Sequence, residues 1–432
     1  MADTIPVYTI SLGCPKNLVD TEFLLGGLPG RARPVDRPED AALVLVNTCG
    51  FIRPAVEESV SEILDAAEAI AGLSPKPLLA VAGCLVSRYG AELAQSMPEV
   101  DLWLTTHELP DWPAKIALAM GRAAAGKPAR MHSSPPSFAY LKVSEGCRHK
   151  CRFCTIPSIR GTLKSTPVAE LAREAENILS TGRKELILVA QDLTAFGHDL
   201  DPKQDLRALL EALLPLSGLE RLRLLYLYPA GLTPELLDFL KDAGPPFVPY
   251  FDIPLQHAHP DILRSMGRPF AKDPRRVIDL VRSRFPEAAI RTSLIVGYPG
   301  ETRTHFNFLL NFVKEVRFQH LGVFAYQREE GTPAAAMPGQ VGAKTTQGRK
   351  DAIMAAQAEI SEEWLSGFEN KSLDVLVDAP HPEWPGLHVG RTWFQAPEID
   401  GVTYVSGPGV KPGAMVKALI EEAKTYDLVA LA

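Results

Sequence analysis

Residues 139–157 read AYLKVSEGCRHKCRFCTIP, an apolar run followed at once by three cysteines in C-x3-C-x2-C spacing. A strand that delivers three thiols into one short loop is the feature around which the rest of the chain is organised. Four thiolates close a structural zinc site or cap every iron of a cluster, so three leave one metal position open. An open position lets a metal centre bind substrate or cofactor directly. The plainer alternative is a structural zinc with His149 or a distant residue as fourth ligand. It would need a second C-x2-C or an H-x3-H partner, which is absent.

Downstream, apolar runs recur at ELILVAQDL (185–193), RLRLLYLYP (221–229), PYFDIPLQH (249–257), IRTSLIVGYP (290–299) and HLGVFAYQ (320–327), separated by amphipathic stretches such as 167–182 and 302–316. With the opening run these make six βα units and predict a partial (β/α)6 barrel over 138–345, whose chemistry gathers at the carboxyl ends of the strands. A connecting helix is expected over 346–369. From 370 to 432 short runs of alternating polarity with Gly and Pro turns, SLDVLVDAP, GLHVGRTWF, GVTYVSG and GAMVKALI, predict a small β-barrel.

Upstream, the runs VYTISLG (7–13), ALVLVNT (42–48), LLAVAG (78–83) and VDLWLTT (100–106) alternate with helical patterns; in RPAVEESVSEILDAAEAIA, Val56, Val60, Ile63, Ala67 and Ile70 fall at helix spacing. This predicts a Rossmann-like parallel-sheet domain over 1–125, with a Pro- and Ser-rich linker over 126–137. Cys14, Cys49 and Cys84 lie 35 residues apart and each follows one of these strand runs. In an open parallel sheet the strand ends share one edge, so the three thiols converge and predict a metal cluster. The alternative for each alone is a small buried hydrophobe.

The 432 residues are 46% hydrophobic and 22% charged, an ordinary globular α/β composition, and the formal charge of −7 makes no overall case for nucleic acid. Six cysteines in a chain of this length are not a disulfide scaffold. The opening MADTIPVYTI has no secretory pattern and no apolar run is long enough to span a bilayer, so a cytoplasmic protein without membrane partners is expected.

The motifs SLGCPKNLVDTE, VNTCGFI, AGCLVSRY, EGCRHKCRFCTIPSIRG, QDLTAFG, DIPLQH, LIVGYPGET and YQREEGTPAA together resemble the methylthiotransferase family of radical S-adenosylmethionine enzymes, from residue 8 to beyond 335. GCPKN and IPSIRG resemble the branch of that family that modifies a ribosomal protein rather than tRNA. Thr21, Leu193 and Phe196 depart from the Ser, Thr and Tyr frequent there, which removes any role for a hydroxyl at 193 or 196.

The resemblance implies a central barrel of the radical S-adenosylmethionine type and a C-terminal TRAM-like domain. It implies that Cys147, Cys151 and Cys154 hold a 4Fe-4S cluster whose open iron binds S-adenosylmethionine, and that Cys14, Cys49 and Cys84 hold a second 4Fe-4S cluster carrying the sulfur to be transferred. It further implies that Gln191, Asp192, Gln256, His257, Gly297, Gly300 and Tyr326 contact S-adenosylmethionine, against the plainer reading of strand-end polar residues, turn glycines and a core tyrosine. His149 and Arg152, inside the cysteine loop, are placed to shield or tune the cluster. No side chain is needed as general acid or base. The reaction implied is addition of a methylthio group to the β-carbon of an aspartate in ribosomal protein S-twelve, with flavodoxin or ferredoxin as electron donor. The rivals are the same chemistry on a tRNA adenosine and a non-catalytic zinc- or RNA-binding module.

Residues 368–432 carry five Lys or Arg against nine Asp or Glu, the reverse of a phosphate-gripping domain. An acidic TRAM-like domain is expected to steer a basic ribosomal protein, alone or in the small subunit, and Trp384, Trp393, Phe394 and Tyr404 are candidates for its contact surface or its core.

Overall fold

The computed structural model describes residues 4–123, 130–270 and 272–432, so residues 126–129 of the expected linker lie outside the described residues. The chain forms two compact units. The first comprises the residues up to Ser133 with Glu145–His149 and Cys154–Thr162; the second comprises Ser134–Ser144, Lys150–Phe153 and Leu163–Ala432.

In the first unit, strands β1 (Thr4–Ser11), β2 (Arg31–Pro34), β3 (Leu43–Thr48), β4 (Leu78–Gly83) and β5 (Leu102–Thr105) form one sheet in the order β2-β1-β3-β4-β5. All four pairings are parallel. Helices α1 (Pro15–Gly26), α2 (Arg53–Ile70), α3 (Cys84–Ser96) and α4 (Trp112–Ala119) belong to the same unit, and α5 (Ile156–Arg160) joins it from the cysteine loop. β3 is buried along its whole length, with apolar clusters on both of its faces, as in a strand covered by helices on either side. One apolar cluster joins Ile5, Leu43 and Leu45 to Trp112 and Ile116; another joins Val44 and Val46 to Ile63, Ala67 and Ile70. The stripe predicted on α2 is thus the buried one, except that Val56 and Val60 are only partly covered. β2 escaped the sequence reading because RARP has one buried residue, Ala32, and reads as a loop.

The second unit contains strands β6 (Phe138–Lys142), β9 (Glu185–Val189), β10 (Arg221–Leu224), β11 (Phe247–Asp252), β12 (Ala289–Val296) and β13 (His320–Ala325). They form a parallel sheet in sequence order, from β6 at one edge to β13 at the other. Two very short strands, β7 (Ser144–Glu145) and β8 (Lys164–Ser165), flank the cysteine loop. The five crossovers contain α6 (Val168–Ser180), α7 (Leu206–Leu213), α8 (Pro234–Ala243), α9 (Pro260–Ser265) with α10 (Arg275–Arg284), and α11 (Arg303–Val316). α12 (Ala343–Ser366) starts earlier than the expected connecting helix and ends before it.

Beyond it, β14 (Ser372–Pro380), β15 (His388–Arg391), β16 (Thr403–Ser406), β17 (Met415–Ala423) and β18 (Leu428–Leu431) close a barrel in the order β14-β15-β16-β18-β17. β18, not anticipated, closes it by pairing parallel with β16 and antiparallel with β17.

This small barrel is bonded to the larger sheet through buried ions. Glu185, first residue of β9, accepts from Arg223 Nε and Arg391 Nη1, each at 2.7 Å; Arg391 also donates to Asp378 at 2.7 Å. Tyr250 Oη donates to Asp400 at 2.6 Å and Tyr140 Oη to Glu398 at 3.0 Å. Three of the nine acids counted in the TRAM-like domain therefore take part in these bonds: Asp378 and the Asp400 side chain are buried, while Glu398 stays exposed. The exposed acids are Glu369, Asp374, Glu383, Glu398, Glu421 and Glu422 against Lys371, Lys411, Lys417 and Lys424, with Asp427 half-buried. The free face of the domain therefore keeps an excess of acidic over basic side chains. Phe394 is core and packs edge-on to Trp364 and Trp393, whereas Trp384 is exposed and stacks on His381 with centroids 4.9 Å apart. No helix among the described residues is long and apolar enough to cross a membrane.

Candidate functional site

The strand order 2-1-3-4-5 is the flavodoxin-like form of a doubly wound sheet, whose topological switch point lies between β1 and β3. Cys14 follows β1 as the N-cap of α1, Cys49 follows β3 directly, and Cys84 follows β4 as the first residue of α3. Three neighbouring strands therefore bring the three thiols to one sheet edge at the switch point. Glycine permits the close approach of their loops. Gly13 has φ +89°, and a Cβ there would stand 2.8 Å from Cys49 Cβ. A Cβ on Gly50 would stand 2.7 Å from the backbone of Leu85, beside Cys84.

Asn17 ties the loops together. Its Nδ2 donates to Leu12 O at 2.8 Å and Thr48 O at 3.0 Å, and its own carbonyl accepts from Asn47 Nδ2 at 2.9 Å. The thiols feel each other and their cations. Burial pushes Cys49 up to about 11, with the Cys84 and Cys14 sulfurs adding to it. Burial raises Cys84 as well, against the pull of Arg160. Burial opposes ionisation of Cys14 too, but Lys16 and Arg160 outweigh it and hold that thiol below its ordinary value.

Arg160, last residue of α5, is buried among these groups. Its Nε donates to Cys84 Sγ at 3.2 Å, its Nη1 bonds Asp20 and Glu145 at 2.8 Å each, and its Nη2 donates to Asn17 Oδ1. Three soft sulfurs beside one buried guanidinium are a donor set that fits iron–sulfur ligation with three protein ligands.

The second cysteine group lies in the loop between β7 and α5. Cys147 and Cys154 fall in the first unit, where Cys147 N donates to Gly161 O at 3.1 Å. Cys151 falls in the second, and Arg268 Nη1 donates to its Sγ at 3.4 Å. The Arg268 guanidinium lies over the Tyr228 ring at 4.6 Å and the Phe270 ring at 5.2 Å. Arg152 is held by its backbone, its N–H donating to Met266 O and its carbonyl accepting from Ala334 N.

The remaining expected site residues all follow strands of the second unit. Gln191 and Asp192 follow β9; Asp192 is buried and caps a 3-10 turn by accepting from Thr194 N at 2.9 Å and Thr194 Oγ1 at 2.7 Å. Leu193 and Phe196 are wholly buried, which accounts for apolar residues at those positions. Gln256 takes a left-handed φ of +73° and bridges to Leu294. His257 is buried, accepts from His259 N at 2.9 Å, and is pushed down to about 3 by burial, with His259, His305 and Arg349 adding to it. Gly297 has φ +78°, and a Cβ on it would collide with Thr346 of α12, a packing reason for glycine independent of any ligand. Gly300 N donates to Gly339 O at 2.9 Å. Tyr326 packs edge-on to Tyr298 with centroids 5.5 Å apart.

Sequence reading assigned no role to Asn17, Asp20, Arg160 or Arg268. Asn17, Asp20 and Arg160 stand inside quoted motifs, and the available signal was a cation within the apolar helix IPSIR directly after the cysteine loop. Among the described residues one further donor set, His259, Asp261 and His305, has ligand atoms within 4.8 Å of one another. Asp261 is paired with Arg264, and both imidazoles cap helices, α9 and α11, so their roles here are structural.

Comparison with known proteins gives three family matches: uncharacterized protein family UPF0004 over residues 6–105, the Radical SAM superfamily over 141–313 and the TRAM domain over 371–432. The ribosomal protein uS12 methylthiotransferase RimO of Oleidesulfovibrio alaskensis is 65% identical, over 99% of this chain and 100% of that relative. The protein of the same name from Nitratidesulfovibrio vulgaris is 62% identical with the same coverage. Among solved structures, the radical S-adenosylmethionine methyltransferase TsrM of Kitasatospora setae superposes with a TM-score of 0.56 at 15% identity, covering 90% of this chain and 81% of that one, a likeness of fold.

Proposed function

The chain belongs to the family of ribosomal protein uS12 methylthiotransferases named RimO, and on that premise we propose that it transfers a methylthio group to the β-carbon of an aspartate in uS12, the S-twelve of the sequence reading. Cys147, Cys151 and Cys154 hold one 4Fe-4S cluster and Cys14, Cys49 and Cys84 a second. When bound, the first supplies one-electron cleavage of S-adenosylmethionine to a hydrogen-abstracting radical, while the second presents the sulfur to be transferred.

The protein's own part is to bind, orient and exclude water. The strand ends of β9, β11 and β12 offer Gln191, Asp192, Gln256, His257, Gly297 and Gly300, with Tyr326 after β13, to S-adenosylmethionine. His257, neutral because it is buried, is suited to hydrogen bonding and not to ion pairing. The observation that carries the reading is the convergence of Cys14, Cys49 and Cys84 at the switch point of a flavodoxin-like sheet, beside a buried arginine. A single thiol kept as a core hydrophobe needs no cation.

The substrate is recognised as a basic protein, steered by the exposed acidic excess of the TRAM-like domain. A low-potential donor such as flavodoxin or ferredoxin supplies the electron, and the reaction takes place in the cytoplasm. The test is anaerobic reconstitution, iron analysis and mass spectrometry of uS12 and of tRNA after reaction. About eight iron per chain and methylthio mass on uS12 are expected; mass gained only by tRNA refutes the substrate, and zinc in place of iron refutes the chemistry.

A further inference from the structure

Arg160 stands apart from the other cations of the first unit because all three of its nitrogens are engaged at the cysteine edge. Its side chain is 2% exposed. Asp20 and Glu145 satisfy its charge, and Asn17, which also gathers the loops after β1 and β3, accepts from Nη2. Those contacts would suffice for a structural ion-pair hub. The remaining donor, Nε–H, is directed at Cys84 Sγ at 3.2 Å. A charge-assisted donor held out of water against a ligand sulfur stabilises added negative charge on that sulfur, and hydrogen bonds to ligand sulfurs are one of the terms that set cluster reduction potentials. The planar fork makes this arrangement specific to arginine, since a lysine ammonium cannot keep a carboxylate pair, an amide and a sulfur in one plane. Arg160 also belongs to the segment that follows Cys154, and Glu145 precedes Cys147 by two residues. One guanidinium therefore joins the Cys84 sulfur to both ends of the loop bearing the other cysteines.

We propose that Arg160 is a positioning residue that raises the reduction potential of the cluster held by Cys14, Cys49 and Cys84 through its Nε–H bond to Cys84. The inference rests on the cluster assignment proposed above, and the experiment separates the two. In full-length chain carrying Cys147→Ala, Cys151→Ala and Cys154→Ala, reconstituted anaerobically, only the Cys14, Cys49 and Cys84 site loads iron, and its midpoint potential is read by EPR-monitored redox titration. Addition of Arg160→Lys is expected to move the midpoint to more negative potential in the fraction that retains iron. A merely structural hub would change iron loading and leave the midpoint of the loaded fraction where it was, and that result overturns the proposal.

Where Arg160→Lys loads no iron, the decision passes to the background chain labelled with nitrogen-15 arginine. Pulsed EPR of the reduced site is expected to show an arginine nitrogen coupling, and its absence overturns the proposal. If the background chain itself binds no iron, the cluster assignment fails first and takes this inference with it.

Discussion

Arg268 donates to Cys151 Sγ at 3.4 Å while its guanidinium lies against Tyr228 and Phe270. Arg160 stands in the same relation to Cys84. Each cysteine group thus has one sulfur backed by a buried arginine. Replacement of outer partners of this kind costs about 10–100-fold in affinity or activity. Arg268→Gln is therefore expected to lower 5′-deoxyadenosine formation by about that factor while the Cys14, Cys49 and Cys84 site keeps its iron. Unchanged formation would count against a role for Arg268 at the cluster.

On the proposed function the two cysteine groups divide the labour. Cys147→Ala, Cys151→Ala and Cys154→Ala together are expected to abolish cleavage of S-adenosylmethionine. The corresponding changes at Cys14, Cys49 and Cys84 are expected to leave cleavage in place and to stop sulfur transfer, seen by mass spectrometry as uS12 without added methylthio mass.

Gly13→Ala tests the close approach of the loops. The new methyl group would stand 2.8 Å from Cys49 Cβ in a backbone of φ +89°, so both contact and conformation oppose it. The variant is expected to lose about four of the eight irons and to retain cleavage of S-adenosylmethionine. Full iron content would show that the loops have room the geometry denies.

The ion network beneath the small barrel makes a stability prediction. Burial pushes the Glu185 carboxyl up, but Arg391, Arg223 and Arg221 outweigh it and hold it down to about 2. A carboxylate depressed on folding contributes stability that is fully present above its unfolded value of about 4.3 and is lost as pH falls toward 2. In the metal-free chain, denaturant midpoints are expected to fall between about pH 5 and 2, less steeply in Glu185→Gln. Arg391→Met leaves charge buried without its partner, and such breaks cost about 3–5 kcal/mol. Chemical denaturation at neutral pH measures that loss; a change below about 1 kcal/mol would contradict the network's role.

The six strands of the larger sheet, the four apolar strands of the first unit and all six cysteines were legible because each is written in local pattern: period, apolar run and spacing. RARP of β2 and LVAL of β18 were not, for opposite reasons. The first is an edge strand whose side chains stay largely in water, and the second is a short closing strand whose role exists only once β16 and β17 are in place. Which acids of the small barrel are engaged was not legible either: composition counts Asp378, Glu398 and Asp400 with the rest, whereas the fold bonds them to arginine and tyrosine partners.

By itself the amino-acid order determined that the chain would build two parallel sheets and a small barrel, and that each large sheet would present three thiols after its strands, because strand propensity and cysteine spacing are local properties. Only the tertiary structure decided which cations back those sulfurs and which acids remain free. Arg160 lies 76 residues from Cys84, and Arg268 lies 117 from Cys151. Hydrogen bonds over such separations depend on how helices pack against the sheets, and packing is a many-body property that no single segment encodes.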